Sequence, residues 1–329
     1  MIASIAPREL KIEITDACSL HCTFCHLGGK ILQGTRFMPA EEVLRWIDWT
    51  VDNAIPGVRF TGGEPTLHPQ IQMFVCYAHL RGRYIILNTN GMANDQLYRK
   101  LFRVVNDVRI SLPTLDAERM DELTAGTDVL AKKQDVIRLA LEVGVPRIGL
   151  LTALLPELHG TLEAFVRFVK TSPRLFWVPL RYVATPLRPR PWTRADAQTF
   201  AEEMADLMDR HPGQAWGIFL GMPFCGVTPT SLGARVFHGR TRDCCPFVAL
   251  IVNVRGRMQA CFEVGKIDGA QSLAEIQSCP EIRAFASVEA LPDECRRCAH
   301  VARCGGGSRK PYGLVQQGGK WIDYLAGFL

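Results

Sequence analysis

The stretch Cys18-Ser19-Leu20-His21-Cys22-Thr23-Phe24-Cys25 follows closely on the alternating run Leu10-Lys11-Ile12-Glu13-Ile14. Strict alternation is the period of a β-strand, so the three cysteines fall on a loop leaving a strand end. A Cys-x3-Cys-x2-Cys row there can fold three thiolates around one corner of an iron-sulfur cubane and leave the fourth iron without a protein ligand. An open iron can do chemistry. Disulfides explain the row poorly, because three is an odd number and the spacing is too tight for two bridges. A zinc site would need a fourth ligand, which His21 or His26 could supply.

The rest of the 329-residue chain bounds the possibilities. It is long enough for a barrel of ~200 residues plus a smaller module. Hydrophobic content of 47% and charged content of 22% suit a globular protein with a real core. Residues 1–7 lack the basic start and apolar stretch of a signal peptide, and no apolar run approaches the ~20 residues of a membrane span. A cytoplasmic protein with no membrane partner is expected. Twelve cysteines in such a compartment speak for metal and redox work rather than disulfides. A net charge of +5, with basic residues dispersed among acidic ones, gives no expectation of nucleic-acid binding. Arg181, Arg188, Arg190 and Arg194, and further on Arg296, Arg297, Arg303, Arg309 and Lys310, could meet an anionic substrate, a reductant or solvent.

Strand-like and helix-like stretches alternate through the first two thirds, the pattern of a parallel sheet covered by helices. Strands are expected at Leu10 to Thr15, Val58 to Thr61, Tyr84 to Thr89, Asp107 to Leu112, Arg147 to Leu154 and Phe176 to Val183. Pro39, Pro69, Asn94, Asp128 and Thr161 precede the helical stretches between them. Right-handed crossovers then give an α/β fold, a partial (β/α)6 barrel whose strand carboxyl ends share one mouth. The expected division is a barrel over residues 1–190, a helical linker over 191–224 with a helix from Thr193 to Arg210, and a small cysteine-rich domain over 225–329. That last domain contains a β-hairpin at Leu250 to Phe262 and a helix at Leu273 to Phe285. Cys76 and Cys279 read as small core residues.

The chain resembles the radical S-adenosylmethionine (SAM) superfamily. Phe60-Thr61-Gly62-Gly63-Glu64-Pro65 is similar to its GGEP motif at the second strand end, Leu87-Asn88-Thr89-Asn90-Gly91 to the third strand end, and Arg109-Ile110-Ser111-Leu112 to the fourth. The resemblance implies that Cys18, Cys22 and Cys25 hold a [4Fe-4S] cluster whose open iron chelates SAM. It also implies that Gly62, Gly63, Glu64, Pro65, Asn88, Asn90 and Ser111 surround that cofactor, with Phe24 near adenine. Reductive cleavage would release a 5′-deoxyadenosyl radical that takes hydrogen from substrate, with flavodoxin or ferredoxin as electron donor.

Cys245, Gly256 and Cys261 form Cys-x10-Gly-x4-Cys, and Cys295, Cys298 and Cys304 form Cys-x2-Cys-x5-Cys. This is similar to the auxiliary-cluster extension called SPASM, but Ser308 stands where that pattern has its next cysteine, so the one-cluster form called twitch fits better. The resemblance implies an auxiliary [4Fe-4S] cluster on Cys245, Cys261, Cys295 and Cys298, with Cys304, Cys244 and Cys225 as substitutes; structural zinc is the alternative. Twitch enzymes similar to this include dehydrogenases and epimerases of aminosugars and aminocyclitols in antibiotic biosynthesis. Oxidation of a carbinol in a small carbohydrate-like substrate is the leading expectation. Epimerisation, with Cys225 or Cys244 returning hydrogen, is the second, and peptide maturation the third. A first strand beginning by Leu10 leaves no room for a preceding peptide-recognition domain and favours a small substrate. Acid-base candidates are Arg181, Asp116, Glu118 and His159.

Overall fold

The computed structural model describes residues 7–25, 27, 35–182, 184–213, 221–237, 249–259, 272–280, 283, 287, 289, 291–307, 314–317, 320–323 and 325–326. Six parallel strands come in chain order: β1 (Glu9–Thr15), β2 (Gly57–Gly62), β3 (Tyr84–Thr89), β4 (Asp107–Ser111), β5 (Arg147–Leu154) and β6 (Leu175–Arg181). Between them lie α1 (Ala40–Asp52), α2 (Ile71–Leu80), α3 (Asp95–Phe102), α4 (Ala117–Thr124), α5 (Val129–Val143) and α6 (Leu162–Val169). With β7 (Ala249–Val252) and β8 (Met258–Gln259) added, the sheet order β6-β5-β4-β3-β2-β1-β7-β8 never closes on itself, which makes it an unclosed partial barrel.

Strand alternation divides the sheet into two chemically different faces. Leu10, Ile12, Ile14, Val58, Phe60, Ile85, Leu87, Val108 and Ile110 are fully buried under the helices. The other face is polar. The register sets Lys11 beside Arg59 and Glu13 beside Thr61, then Asn88 beside Arg109 and Arg109 beside Gly149. Near the amino ends of the strands, Arg59 closes on Glu9 at 2.7 Å. Burial alone would raise the Glu9 carboxyl, but Arg59 and Lys11 outweigh it and hold the group below the usual range.

Helix ends obey local chemistry. Asn94 caps α3 through Leu97 N at 2.9 Å, and Asp116 caps α4 through Arg119 N at 2.8 Å. The long helix α7 (Arg194–Arg210) opens on a reciprocal Thr193 and Asp196 capping box. The helix from Leu273 is shorter than expected: α9 (Leu273–Ser278) ends with Cys279 as its cap, at an extended ψ of 121°. Before it come α8 (Thr230–Val236), β7 (Ala249–Val252) and β8 (Met258–Gln259); after it come α10 (Asp293–Arg296), α11 (Val301–Cys304) and the antiparallel pair β9 (Leu314–Gln317) and β10 (Lys320–Asp323).

Two expectations are corrected. Cys76 is exposed rather than a core residue, because α2 buries Ile71, Phe74, Val75 and Ala78, and Cys76 lies off that stripe. The hairpin β7-β8 does not stand apart from the barrel: β7 pairs in parallel with β1, Glu9 against Ala249 through Ile12 against Val252. Sequence periodicity identifies a strand but not its neighbour.

Candidate active site

The cysteine loop leaves β1 at Thr15 and is fastened on three sides. Thr15 Oγ1 accepts from Ala17 N at 3.0 Å; His21 N donates to Thr124 O at 3.1 Å and Thr23 N to Leu123 O at 2.9 Å. Thr185 Oγ1, beyond β6, donates to Thr23 O at 2.9 Å. These bonds hold a loop without regular structure in one shape, and Cys18, Cys22 and Cys25 are all half-buried on it. Burial, with the charges of Cys25 and Cys18 added, pushes the Cys22 thiol up to about 12, so the three sulfurs stand near one another. Among the described residues no three His, Cys, Asp or Glu side chains converge as one metal ion requires. A cubane, with its irons at separate corners, takes thiolates spread further apart. His26, one of the two histidines offered as a zinc ligand, lies outside the described residues.

The glycines of Gly62-Gly63 are fixed by close approach. A Cβ on Gly62 would sit 2.2 Å from Thr15 O, and one on Gly63 2.1 Å from Ala17 O. The gap instead holds two main-chain bonds, Gly63 N to Thr15 O at 2.8 Å and Glu64 N to Ala17 O at 2.7 Å. The end of β2 is thereby sewn to the root of the cysteine loop.

Glu64 is 1% exposed and accepts from Thr66 N (3.1 Å), Thr66 Oγ1 (2.6 Å), Thr89 Oγ1 (2.9 Å) and Asn90 N (2.6 Å). Burial raises its carboxyl, and these donors pull in the opposite direction without cancelling it. Glu64 ties the end of β2 to the end of β3. Pro65 starts the single turn that follows and is buried. Asn90 carries the tie onward: its Nδ2 donates to Ser19 Oγ at 3.1 Å and points at Cys18 Sγ from 3.7 Å. Asn88 donates to Thr61 Oγ1 at 3.4 Å, while its buried Oδ1 has no partner among the described residues. An orphaned acceptor at the mouth is a place for a ligand's donor. Ser111 ends β4, and Phe24 packs against the core beside the cysteines.

One participant escaped the motif reading. Lys133 of α5 is fully buried and its Nζ donates to Asn90 O. Burial lowers the amine to about 8, against the opposing pull of Cys22, Glu64 and Cys18, so a cation lies directly beneath the cysteine loop. A signal existed: Val129, Leu130, Val136, Ile137 and Ala140 form the inward stripe of α5, and Lys133 stands on it.

Other expected residues are more dispersed. Arg181 ends β6 and donates to Gly221 O at 3.3 Å. Asp116 is spent as a helix cap, Glu118 is exposed, and His159 lies over Phe200 with Nε2 3.8 Å from Asp196. Arg188 pairs with Glu157, Arg190 with Asp196, and Arg194 donates to Ala326 O, so this basic group is divided among separate partners. At the far end of the chain Cys225, Cys295, Cys298 and Cys304 come together, while Cys244, Cys245 and Cys261 lie outside the described residues.

Residues 12–169 match the sequence model of the radical SAM superfamily. This stretch is a radical SAM domain. Radical SAM domains use a [4Fe-4S] cluster and SAM, and the fastened three-thiol loop with an unsatisfied acceptor nearby suits both. Among similar sequences, a GTP 3',8-cyclase of Corynebacterium glutamicum is 32% identical over 219 residues, covering 62% of this chain and 56% of its own length. A probable GTP 3',8-cyclase of Methanococcus maripaludis is 29% identical over 140 residues, covering 42% and 47%. The chain thus spans about half the length of the curated relatives it matches. In fold, it is similar to Streptococcus suis SuiB bound to SAM (TM-score 0.72, 17% identity, 97% of this chain and 77% of that one). It is also similar to anSMEcpe with bound SAM and a peptide (TM-score 0.73, 18% identity, 97% and 94%). The radical SAM domain supplies the mouth; no helix among the described residues is long and apolar enough to cross a membrane.

Proposed function

We propose that the chain is a radical SAM oxidoreductase that removes a carbinol hydrogen from a small, polar, amino-bearing carbohydrate such as an aminosugar or aminocyclitol, leaving a ketone. In this reading Cys18, Cys22 and Cys25 hold the first cluster, Asn88 Oδ1 accepts from the SAM amino group, and Phe24 and Ser111 flank the rest of that cofactor. The cluster and SAM together supply a hydrogen-abstracting radical. Glu64, Gly62 and Gly63 are positioning residues, since they hold the loop and the ends of β2 and β3 in one frame.

The observation that carries the substrate class is the polar row on the open face of the sheet: Glu13, Thr61, Asn88 and Arg109, next to the cysteine loop. Such a row pairs hydroxyls and amines and would leave an apolar substrate with unpaired groups against it. For oxidation the ledger of atoms is closed by three transfers. The C-H hydrogen goes to the adenosyl carbon, the hydroxyl proton to a base near the mouth, and one electron to a second redox centre in the C-terminal module. A reductant of the flavodoxin or ferredoxin kind supplies the first electron.

A second reading, conversion of a purine nucleotide, draws on the sequence likeness to GTP 3',8-cyclases. One experiment separates the two. Anaerobically reconstituted protein, SAM and a strong reductant are offered aminosugar precursors or GTP, with products read by mass. A product lighter by two hydrogens with an equivalent of 5′-deoxyadenosine supports oxidation. A GTP-derived product with no ketone from any sugar supports the nucleotide reading. Solvent deuterium fixed at an inverted carbon would instead mean epimerisation.

A further inference from the structure

Below the row of Glu13, Thr61, Asn88 and Arg109, the open face of the sheet ends in a floor of paired charges. Glu9, Asp107 and Arg147 are the first residues of β1, β4 and β5. The register sets Lys11 beside Arg59, Arg59 beside Ile86, Ile86 beside Asp107 and Asp107 beside Arg147, so one rung crosses five strands. Each of its cations has a carboxylate within reach. Arg59 donates to one Glu9 oxygen through Nη2 at 2.7 Å and Nε at 3.3 Å, and Lys11 Nζ lies 4.0 Å from the other. Asp107 takes Arg109, one rung up, through both oxygens at 3.4 and 3.3 Å, and Arg147 lies 3.8 Å away on its other side.

Packing holds these forks in place. A Cβ on Gly149 would meet the Phe176 ring at 2.8 Å and the Arg109 stem at 3.4 Å, so the glycine leaves the gap that both occupy. The Arg147 guanidinium lies over the same ring at 4.6 Å. The buried heart of the network is balanced: the side chains of Glu9 and Arg59 are each 10% exposed, that of Asp107 3% and that of Arg109 12%. The surplus of positive charge belongs to Lys11 and Arg147, at 22% and 57%, where water and salt screen it. An anion brought to the two central arginines therefore finds their forks taken. Binding it would release a buried carboxylate and set that charge against a second one of the same sign, and an unpaired buried ion is costly. A hydroxyl or an ammonium meets no such obstacle, because a carboxylate accepts from either.

We propose that Glu9 and Asp107 are specificity-determining residues: by filling the guanidinium forks of Arg59 and Arg109 they close the floor of the open face to polyphosphate groups and reserve it for uncharged or amine-bearing substrates. Specificity of this kind is built against a competitor rather than toward the chosen ligand. The inference rests on the reading that substrate lies on the open face, and it deepens that reading by separating its two substrate classes: an aminosugar is admitted and a nucleoside triphosphate is turned away.

The test titrates inorganic tripolyphosphate, and GTP beside it, into the anaerobically reconstituted full chain by calorimetry at fixed ionic strength. Wild type is expected to bind either one more weakly than about 1 mM. Glu9→Gln and Asp107→Asn each free a fork and are expected to gain about tenfold or more in affinity for tripolyphosphate. The gain should vanish in the double variant Glu9→Gln, Arg59→Gln, which lacks the fork itself. In case the single variants are too unstable for calorimetry, their melting temperature is followed against tripolyphosphate concentration, and it should rise where that of wild type does not. Wild type binding tripolyphosphate at micromolar concentration overturns the inference whatever the variants do. So does a variant that gains nothing, or a gain that survives loss of Arg59, which would mean adsorption elsewhere on the surface. The binding needs neither SAM nor turnover, so the two readings fail separately. Forks that open as expected, beside a wild type that makes no ketone, sink the proposed reaction alone; a wild type that makes the ketone and still binds tripolyphosphate tightly sinks this inference alone.

Discussion

Replacing Lys133 with methionine isolates the energetics of the cation beneath the cysteine loop. The ordinary lysine value is 10.5 and burial brings it to about 8 in the fold. At about 1.4 kcal/mol per pH unit, that gap corresponds to a destabilisation on the order of 3 kcal/mol. The sign follows from which state holds the proton. Below about pH 8 both folded and unfolded chains are protonated there, and the whole penalty applies. Between about 8 and 10.5 only the unfolded chain keeps it, so stability rises with pH and the penalty is gone above that window. Lys133→Met removes the penalty and its slope, but orphans Asn90 O at a cost of about 1–3 kcal/mol. In cluster-free protein the variant should therefore equal or exceed wild type near neutral pH and fall below it by about 1–3 kcal/mol near pH 10.5. Urea unfolding, followed by tryptophan fluorescence under reducing conditions across that range, gives the difference directly, with the thiols common to both proteins largely cancelling. A difference that stays flat with pH would refute the account of a buried amine stripped of solvent.

In the cluster-loaded protein the same variant should move the first cluster to a more negative midpoint potential in a spectroelectrochemical titration, because a nearby cation favours the reduced, more anionic state. Gly63→Ala should abolish iron retention by the first site in anaerobic iron analysis, since its Cβ would lie 2.1 Å from a main-chain oxygen that has no side-chain freedom to move away. Glu64→Gln turns an acceptor facing four donors into a group that must present its own N-H to one of them, a loss of about 1–3 kcal/mol readable as a lowered urea midpoint. His68, whose Nε2 donates to Met38 O at 2.9 Å while Nδ1 accepts from Gln70 N at 3.1 Å, is held neutral by burial below its usual 6.5. Stability should thus fall as pH drops from 6.5 toward its lowered folded value, and His68→Gln should flatten that slope in the same unfolding assay.

The six barrel strands were legible because each has its own period and its own boundary residues, and Asn94, Asp128, Thr161 and Thr193 stand at helix starts as expected. The triad and the glycine pair were legible as motifs, although the reason for the glycines, the carbonyls of Thr15 and Ala17, becomes visible only when two strands are laid side by side. Lys133 belongs to no motif, and its only signal in the sequence is one charged position on the apolar stripe of α5. Asn88 was read as a contact residue, yet only three-dimensional structure reveals that one of its two polar atoms is satisfied and the other is not. The C-terminal thiols were the hardest to pair. Cys225 is some seventy residues from Cys295, and spacing carries no information about a turn that folds back over that distance.

The seam between β1 and β7 has a consequence for biogenesis. The edge of β1 that receives residues 249–252 is bare until the ribosome has finished all six barrel strands and gone on to residue 249, so the nascent chain carries an open row of main-chain donors and acceptors through most of its synthesis. A chain stopped before that point would have all its cofactor-facing motifs and still present a sticky border to its neighbours. Truncation at the apparent end of the barrel is thus a recipe for aggregates rather than for a minimal catalyst.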